Sequence, residues 1–522
     1  MKAHIVGGGF GGLAAAGYLI RNAGVPGRDI TVYETEDRMG GALPLWGDAK
    51  SGYILPAGSV FDAQFRCTNA LLADVPSQRR PGLSVKDEFF KFNAEHPFNC
   101  KARIIDADLK IVRGRRFGLS WRHGYHLARL ALTPERKLEG RRIDEYFSKE
   151  FFATEFWLIY SSIMGSLPQH GATELRRYLN RTLHLFPVLS NMSRILRSQR
   201  NQYEAFIVPL VAWLREHEVN FIANAFVRDI HFAPSPDRIT VDRFDYEQKG
   251  ALTSVAVAPD DLVIATIGSQ GADMSVGAKD KPPVPQREGK AWELWKRLAE
   301  GRPIFGRPEK FFGADKISDS RWVTFTVTTT GEEFLKRMEA LTGNETGTGG
   351  LVTLKDSPWM LSLSIFDQPE VDDQPDGTSL WWGYGLFPER VGKYVMKRMD
   401  ACTGEEILEE LLRHLRFDDQ REAIMKSSIC IPVDLPYVNN IWLPRGPSDR
   451  PPPVPEGSTN LGLVGQYVEV PLDVAFTVEY SARCAWEAIH VLLKRGPAPP
   501  PVYQAQRDLK ALLCALWVFL FK

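Results

Sequence analysis

Residues 3–20, AHIVGGGFGGLAAAGYLI, pass from a short apolar strand through a glycine-rich turn into a helix of small side chains. Gly7, Gly9 and Gly12 stand at G-x-G-x-x-G spacing, with Gly11 inside the same turn. In such a turn the first glycine permits the sharp bend. The second lets a pyrophosphate approach the backbone, and the third lets helix and strand pack closely. The helix N-terminus then offers unpaired N–H groups and the positive end of a dipole to phosphates. A second strand, residues 30–33, ends at Glu34, where an acid can bind a ribose 2′-OH. Strand, turn, helix, strand and acid in this order predict a Rossmann-like α/β core that holds a dinucleotide.

The next residues bear on which dinucleotide. After Glu34 the chain reads Thr35-Glu36-Asp37-Arg38-Met39-Gly40-Gly41. This acid-x-x-x-Arg-x-Gly-Gly pattern resembles flavoproteins of the two-dinucleotide-binding-domain type, in which Gly40 and Gly41 would pass close to the diphosphate. An apolar strand at 262–267 runs into Gly268, and a later one ends at Gly465, ahead of Asp473 and a helical run over 477–493. Both suit the returning elements of such a protein. FAD is therefore expected at Gly7, Gly9, Gly11, Gly12, Glu34, Gly40, Gly41, Gly268 and Gly465, with NAD a poorer second.

Lysine and arginine together number 64 and aspartate and glutamate 64, so no basic field points to nucleic acid. The 6 cysteines form no C-x-x-C pair, which argues for reduced thiols and against a zinc site or disulfide framework. Residues 1–20 are spent on the nucleotide elements, so no leader is expected there. The expected location is cytoplasmic, with peripheral contact at the inner membrane face through residues 505–522, whose apolar run is too short to span a bilayer. A terminal helix docked on the protein body is the other reading of that run.

Residues 1–70, 201–290 and 430–495 are expected to form a discontinuous FAD-binding core. Residues 71–200 and 291–429 form an inserted α+β substrate region, and 496–522 a C-terminal amphipathic helix. Proline-rich stretches at 281–285, 446–455 and 496–501 read as surface loops. Phe89, Phe90, Phe92, Phe151, Phe152, Phe156, Trp157 and Tyr160 fall at helical spacing and read mainly as core.

Longer segments carry a more specific resemblance. SVKDEFFKFN from residue 84, FFATEFWL from 151, NQYEAFIVPL from 201 and DSPWMLSLSIFDQPEV from 356 are among them. So are WGYGLFPERVGKYVMKRMDACTGEEILEEL from 382, CIPVDLPY from 430 and VPEGSTNLGLVGQYVEVPLDVAFTVEYSAR from 454. With the N-terminal GGGFGGLAAAGYLIRNAGVPG, these segments resemble the FAD-containing oleate hydratases, a family once called myosin-cross-reactive antigens. The tail VYQAQRDLKALL resembles that family's C-terminal helix, which is associated with membrane contact.

The resemblance implies addition of water to a cis double bond of an unsaturated fatty acid, with no net redox change and with reduced flavin the more active form. Such chemistry needs an acid to protonate one alkene carbon and a base to steer water onto the other. The family's proton-donating tyrosine falls on Tyr203 in Asn201-Gln202-Tyr203-Glu204. Its water-activating glutamate, in a segment resembling R-G-G-R-E-M-E-N-H-F-E-C, falls on Val60 of PAGSVFDAQFRC, residues 56–67. Valine accepts no proton. Ser59 stands at the preceding arginine, and Asp62 aligns with the motif's second acid. Both are weaker candidates for positioning water, and Asp62 reads more readily as structural. Asn439 and Asn440 stand where the family contacts the substrate carboxylate, and His170 reads as structural. A flavin oxidoreductase acting on a hydrophobic substrate and a non-catalytic flavin- and lipid-binding protein remain the competing readings. Monomer and homodimer are both open.

Overall fold

The computed structural model describes residues 1–521 apart from 44, 57, 59 and 287–289. Its nucleotide half is built on a five-stranded parallel sheet in the order Leu461–Val464, Leu262–Thr266, Ala3–Val6, Ile30–Tyr33 and Asn220–Ile222. The first strand is buried throughout, as a parallel strand covered on both faces must be. The helix Phe10–Ala23 packs against the helix Val478–Leu493. Thr477 caps the latter by accepting a hydrogen bond from the Tyr480 N–H, a contact worth about 1 kcal/mol. A three-stranded antiparallel meander, Ala225–Phe232, Val241–Gln248 and Ala251–Ala256, follows the edge strand.

The second half is a seven-stranded mixed sheet. Its order is Ile104–Ile105, Leu351–Leu354, Leu361–Ile365, Thr378–Gly385, Trp322–Thr330, Ser428–Leu435 and Ser275–Val276. The last two strands depart from the sequence-based boundaries, which assigned them to the nucleotide core. Ser428–Leu435 instead pairs along the length of Trp322–Thr330, a partner about a hundred residues away that no local pattern reveals. The stretch 446–455 also differs from expectation. It is no surface loop at Asp449 and Arg450, which are each 1% exposed. Arg450 faces Glu174 and donates to the Ile441 carbonyl, while Asp449 takes Arg307, so ion pairs anchor the middle of the stretch and leave Pro447 and Pro452 at the surface.

Most of the aromatic residues in the helical insertion are core, as their spacing predicts. Phe89, Phe92, Phe151, Phe156, Trp157 and Tyr160 are all buried. The C-terminal helix Leu509–Phe521 sets Ala511, Ala515 and Val518 against the body, chiefly along the segment Leu183–Val188. Its outer face exposes Leu509, Leu513, Leu516, Trp517 and Phe521. No helix among the described residues is long and apolar enough to cross a membrane.

Candidate active site

The expected nucleotide ligands converge at the carboxyl edge of the parallel sheet. Gly7 follows the first strand, Glu34 the second, Gly268 the strand Leu262–Thr266 and Gly465 the strand Leu461–Val464. Open α/β sheets bind ligands in this crevice, where the strand order reverses. Gly12 is sterically required: a Cβ there would lie 1.9 Å from the Gly7 carbonyl oxygen. Gly9 and Gly41 face each other closely enough that a Cβ on Gly41 would stand 3.0 Å from the Gly9 Cα. The Gly40 N–H donates to the Gly8 carbonyl at 2.9 Å, which draws the second glycine pair onto the first loop. The long helix begins at Gly9 with no side-chain cap and no acid in its first turn. Its leading N–H groups are thus left for an anion.

Glu34 is 7% exposed and accepts hydrogen bonds from the N–H groups of Gly8, at 2.7 Å, and Glu36, at 3.0 Å. Burial raises its pKa, and no cation among the described residues pairs with it. A ribose hydroxyl would be a further donor to a carboxylate already fixed in place. The residues present therefore fit an adenine dinucleotide.

Beside this cradle lies a cavity of about 1620 Å³ of empty space, its open mouth included. Leu43, three residues beyond Gly40, and Thr477, at the start of the returning helix, both line it. Leu55, Val60, Phe61, Phe98, Met192 and Trp382 make its wall largely apolar. The cavity's largely apolar lining suits a hydrophobic ligand. Val60, at the expected glutamate position, packs with Phe98, Leu185, Val188, Met192 and Ile195 and adds only apolar surface.

Tyr203 opens a π-helical turn, Tyr203–Ile207, that leads into the helix Val208–Glu216. Asn201 and Gln202, just before it, line the cavity; Tyr203 does not. Its ring lies instead against the cofactor loop, where a Cβ on Gly40 would meet it at 3.0 Å. One turn thus presents one side to the cavity and the other to the Gly40 loop. Partial burial raises the phenol's pKa, so it carries its proton at neutral pH.

Asp62 lines the cavity, but its oxygens are taken. It accepts from the Gln64 N–H at 3.0 Å, pairs with Arg181 at 3.2 Å and faces His184 Nε2 at 3.1 Å. Burial opposes the charge, but His184 and Arg181 outweigh it and hold the pKa below the ordinary carboxylate value. The chain of charges continues inward. Arg181 Nε stands 3.7 Å from Asp473, Asp473 pairs with Arg483 at 3.0 Å, and Arg483 reaches Glu479 at 3.2 Å. Glu479 then accepts from the Cys67 and Thr68 N–H groups at the start of the helix Arg66–Leu72. Tyr503, just ahead of the C-terminal helix, covers this corner. Its ring meets His184 edge-on at 5.1 Å, and the Arg181 guanidinium stands 5.6 Å from it.

The remaining candidates lie elsewhere. Asn439 and Asn440 are fully buried and do not border the cavity. The Asn439 amide donates to the Gly165 carbonyl, and Asn440 Oδ1 accepts from the Tyr467 hydroxyl at 2.7 Å. His170 accepts from the Leu167 N–H and donates to the Asp319 carbonyl, and burial lowers its pKa to about 4, the behaviour of a neutral brace. Ser59 lies outside the described residues. No group of side chains suited to a metal ion occurs among the described residues.

One residue absent from the sequence reading belongs with these. Glu370 is 6% exposed, lines the cavity and belongs to the segment that follows the strand Leu361–Ile365. Its main-chain carbonyl accepts both the N–H and the side-chain amide of Asn201, at 3.0 and 3.1 Å. The segment DQPEV carries it, but nothing local marks that acid as facing a cavity.

The fold and site define a Rossmann-type dinucleotide-binding protein whose second sheet helps wall a largely apolar chamber next to the cofactor loop. Cyclohexylamine oxidase from Brevibacterium oxydans shares this fold, with a TM-score of 0.56, 12% identity, and coverage of 94% of this chain and 98% of that one. A putrescine oxidase does likewise, at a TM-score of 0.54, 11% identity, and 95% and 99% coverage. Residues 1–490 match the MCRA family, and the chain belongs to it. It is similar to the oleate hydratase of Streptococcus pyogenes serotype M49 (strain NZ131), 31% identical over 99% of this chain and 89% of that protein. It is also similar to the linoleate hydratase of Lactiplantibacillus plantarum, 30% identical with 92% of each chain covered.

Proposed function

We propose that this protein is a hydro-lyase that adds water to a cis double bond of an unsaturated long-chain fatty acid, with FAD in the dinucleotide cradle and no net redox change. The observation that carries the reading is the turn at 201–203, which faces the apolar cavity with Asn201 and Gln202 and the Gly40 loop with Tyr203. FAD would be held by Gly7, Gly9, Gly11, Gly12, Glu34, Gly40, Gly41, Gly268 and Gly465. When bound, it supplies shape and polarity at the seam between cradle and cavity rather than electrons.

Tyr203 gives its phenolic proton to one alkene carbon, and water adds to the other. The apolar wall excludes bulk water, which strengthens every polar contact made to the developing positive charge. The exposed apolar face of the C-terminal helix, with the exposed Trp121 ring 5.0 Å from that of Phe519, supports peripheral contact with a lipid surface, the source of such substrates.

The test is incubation of the FAD-loaded protein with oleate in water enriched in heavy oxygen. Label in a product hydroxyl, with neither oxygen consumed nor peroxide formed, is the expected result. Oxygen uptake, or unchanged bound lipid, would overturn the reading.

A further inference from the structure

We propose that Glu370 is the carboxylate that steers water onto the alkene in this chain, taking over the task that Val60 cannot perform. The proposal rests on the hydration reading above. Three observations converge on it.

The first is position. Glu370 lies on the wall of the same cavity as Val60, and its main chain is tied through two hydrogen bonds to Asn201, two residues before Tyr203. The segments that carry the acid and the phenol are therefore fastened to each other at Asn201.

The second is the state of its oxygens. Among the described residues no hydrogen bond or ion pair reaches the Glu370 carboxyl, although several charges surround it. Arg197 is committed to Asp367 at 2.8 Å and Arg200 to Asp372 at 3.3 Å. Arg79 lies 2.9 Å from Asp372 and 3.7 Å from Glu204, and Glu204 also accepts from the Asp372 N–H. Every neighbouring cation thus has another acid, and Glu370, on the cavity wall, is paired with none of them. A buried polar group without a protein partner calls for a ligand or an ordered water.

The third is basicity. Burial is the largest influence on Glu370 and pushes its pKa well above the usual carboxylate value. Asp367 and Glu204 push the same way, and Arg200 and Arg197 oppose them. A carboxylate raised in this way takes a proton from water more readily than one held low, as Asp62 is.

The step balances without any oxidant. The alkene π pair takes the Tyr203 phenolic proton on one carbon. A water oxygen lone pair forms the C–O bond at the other, and that water's proton passes to the Glu370 carboxylate. Transfer of the proton from Glu370 back to the Tyr203 phenolate, through water, restores both groups. The net change is alkene plus water to alcohol.

The experiment compares wild type, Glu370→Gln and Glu370→Asp, each loaded with FAD, on oleate across pH. The glutamine variant should lose about 100-fold or more in kcat, while flavin content and KM for oleate stay within about threefold, a change far too small to account for it. In wild type the rate should climb with pH as Glu370 ionises. That limb should vanish in Glu370→Gln and return, displaced, with partial activity in Glu370→Asp. Retained kcat in Glu370→Gln, or an unaltered pH limb in either variant, overturns the assignment while leaving hydration standing. A wild type that forms no hydroxy acid overturns hydration itself, and this assignment with it.

Discussion

Two acids on one cavity wall have opposite surroundings. Asp62 is bonded by an N–H group, an arginine and a histidine, and it begins a buried chain of charges that ends at a helix N-terminus. Glu370 is equally buried, yet each nearby cation is occupied by another acid. The first environment stabilises a charge and leaves it unreactive. The second makes the charge costly and keeps it available. Two carboxyls of similar burial can therefore divide into scaffold and reagent, and the division depends on how many donors each receives rather than on exposure.

The largest effect should come from the phenol between the cradle and the cavity. Tyr203→Phe should lower turnover by about 10²–10⁴-fold with flavin retained, as read from initial rates and the flavin spectrum. Near-normal turnover would mean that a protonated Glu370 is itself the acid, and the contrast would have to be redrawn. Asp62→Asn comes next. Removing one partner of a buried pair should cost about 3 kcal/mol of stability, seen in chemical denaturation, while turnover of the folded fraction stays within about fivefold. A stable variant with no turnover would move Asp62 into the chemistry.

Glu34→Ala lies outside both corners and should weaken FAD binding by about tenfold, the worth of one hydrogen bond to a charged group. Titration of the cofactor into the cofactor-free protein would measure it.

The smallest effect is in pH, and its sign separates the acids. The Asp62 pKa is lowered on folding, so its stabilising contribution is full above the unfolded value of about 3.9 and is lost as pH falls through the folded one. The Glu370 pKa is raised, so stability is fullest below about pH 4.3 and declines as pH rises toward the folded value. Glu370→Gln should therefore hold or gain stability at neutral pH while Asp62→Asn loses it. Unfolding midpoints that move in the same direction would erase the distinction.

The nucleotide half was largely legible in the sequence because its signals are local. A glycine spacing, the acid closing the second strand and the strands at 262–266 and 461–464 each lie within a short window. The cavity was not legible in this way. Asp62 meets Arg181 and His184 across more than a hundred residues, and Glu370 meets Asn201 across a similar gap. Local composition read 446–455 as loop because nothing in those prolines shows that Glu174 awaits Arg450. For the same reason Asn439 and Asn440, adjacent in a turn-like stretch, gave no sign that Gly165 and Tyr467 would claim their amides.

Tyr503 rests on His184 and Arg181, and the helix after it lies along Leu183–Val188. The final twenty residues thus serve as a clasp on the scaffold acid. A chain clipped before Tyr503 should therefore loosen the chamber at the corner that His184 and Arg181 hold, while the paired strands of the nucleotide sheet stay in register.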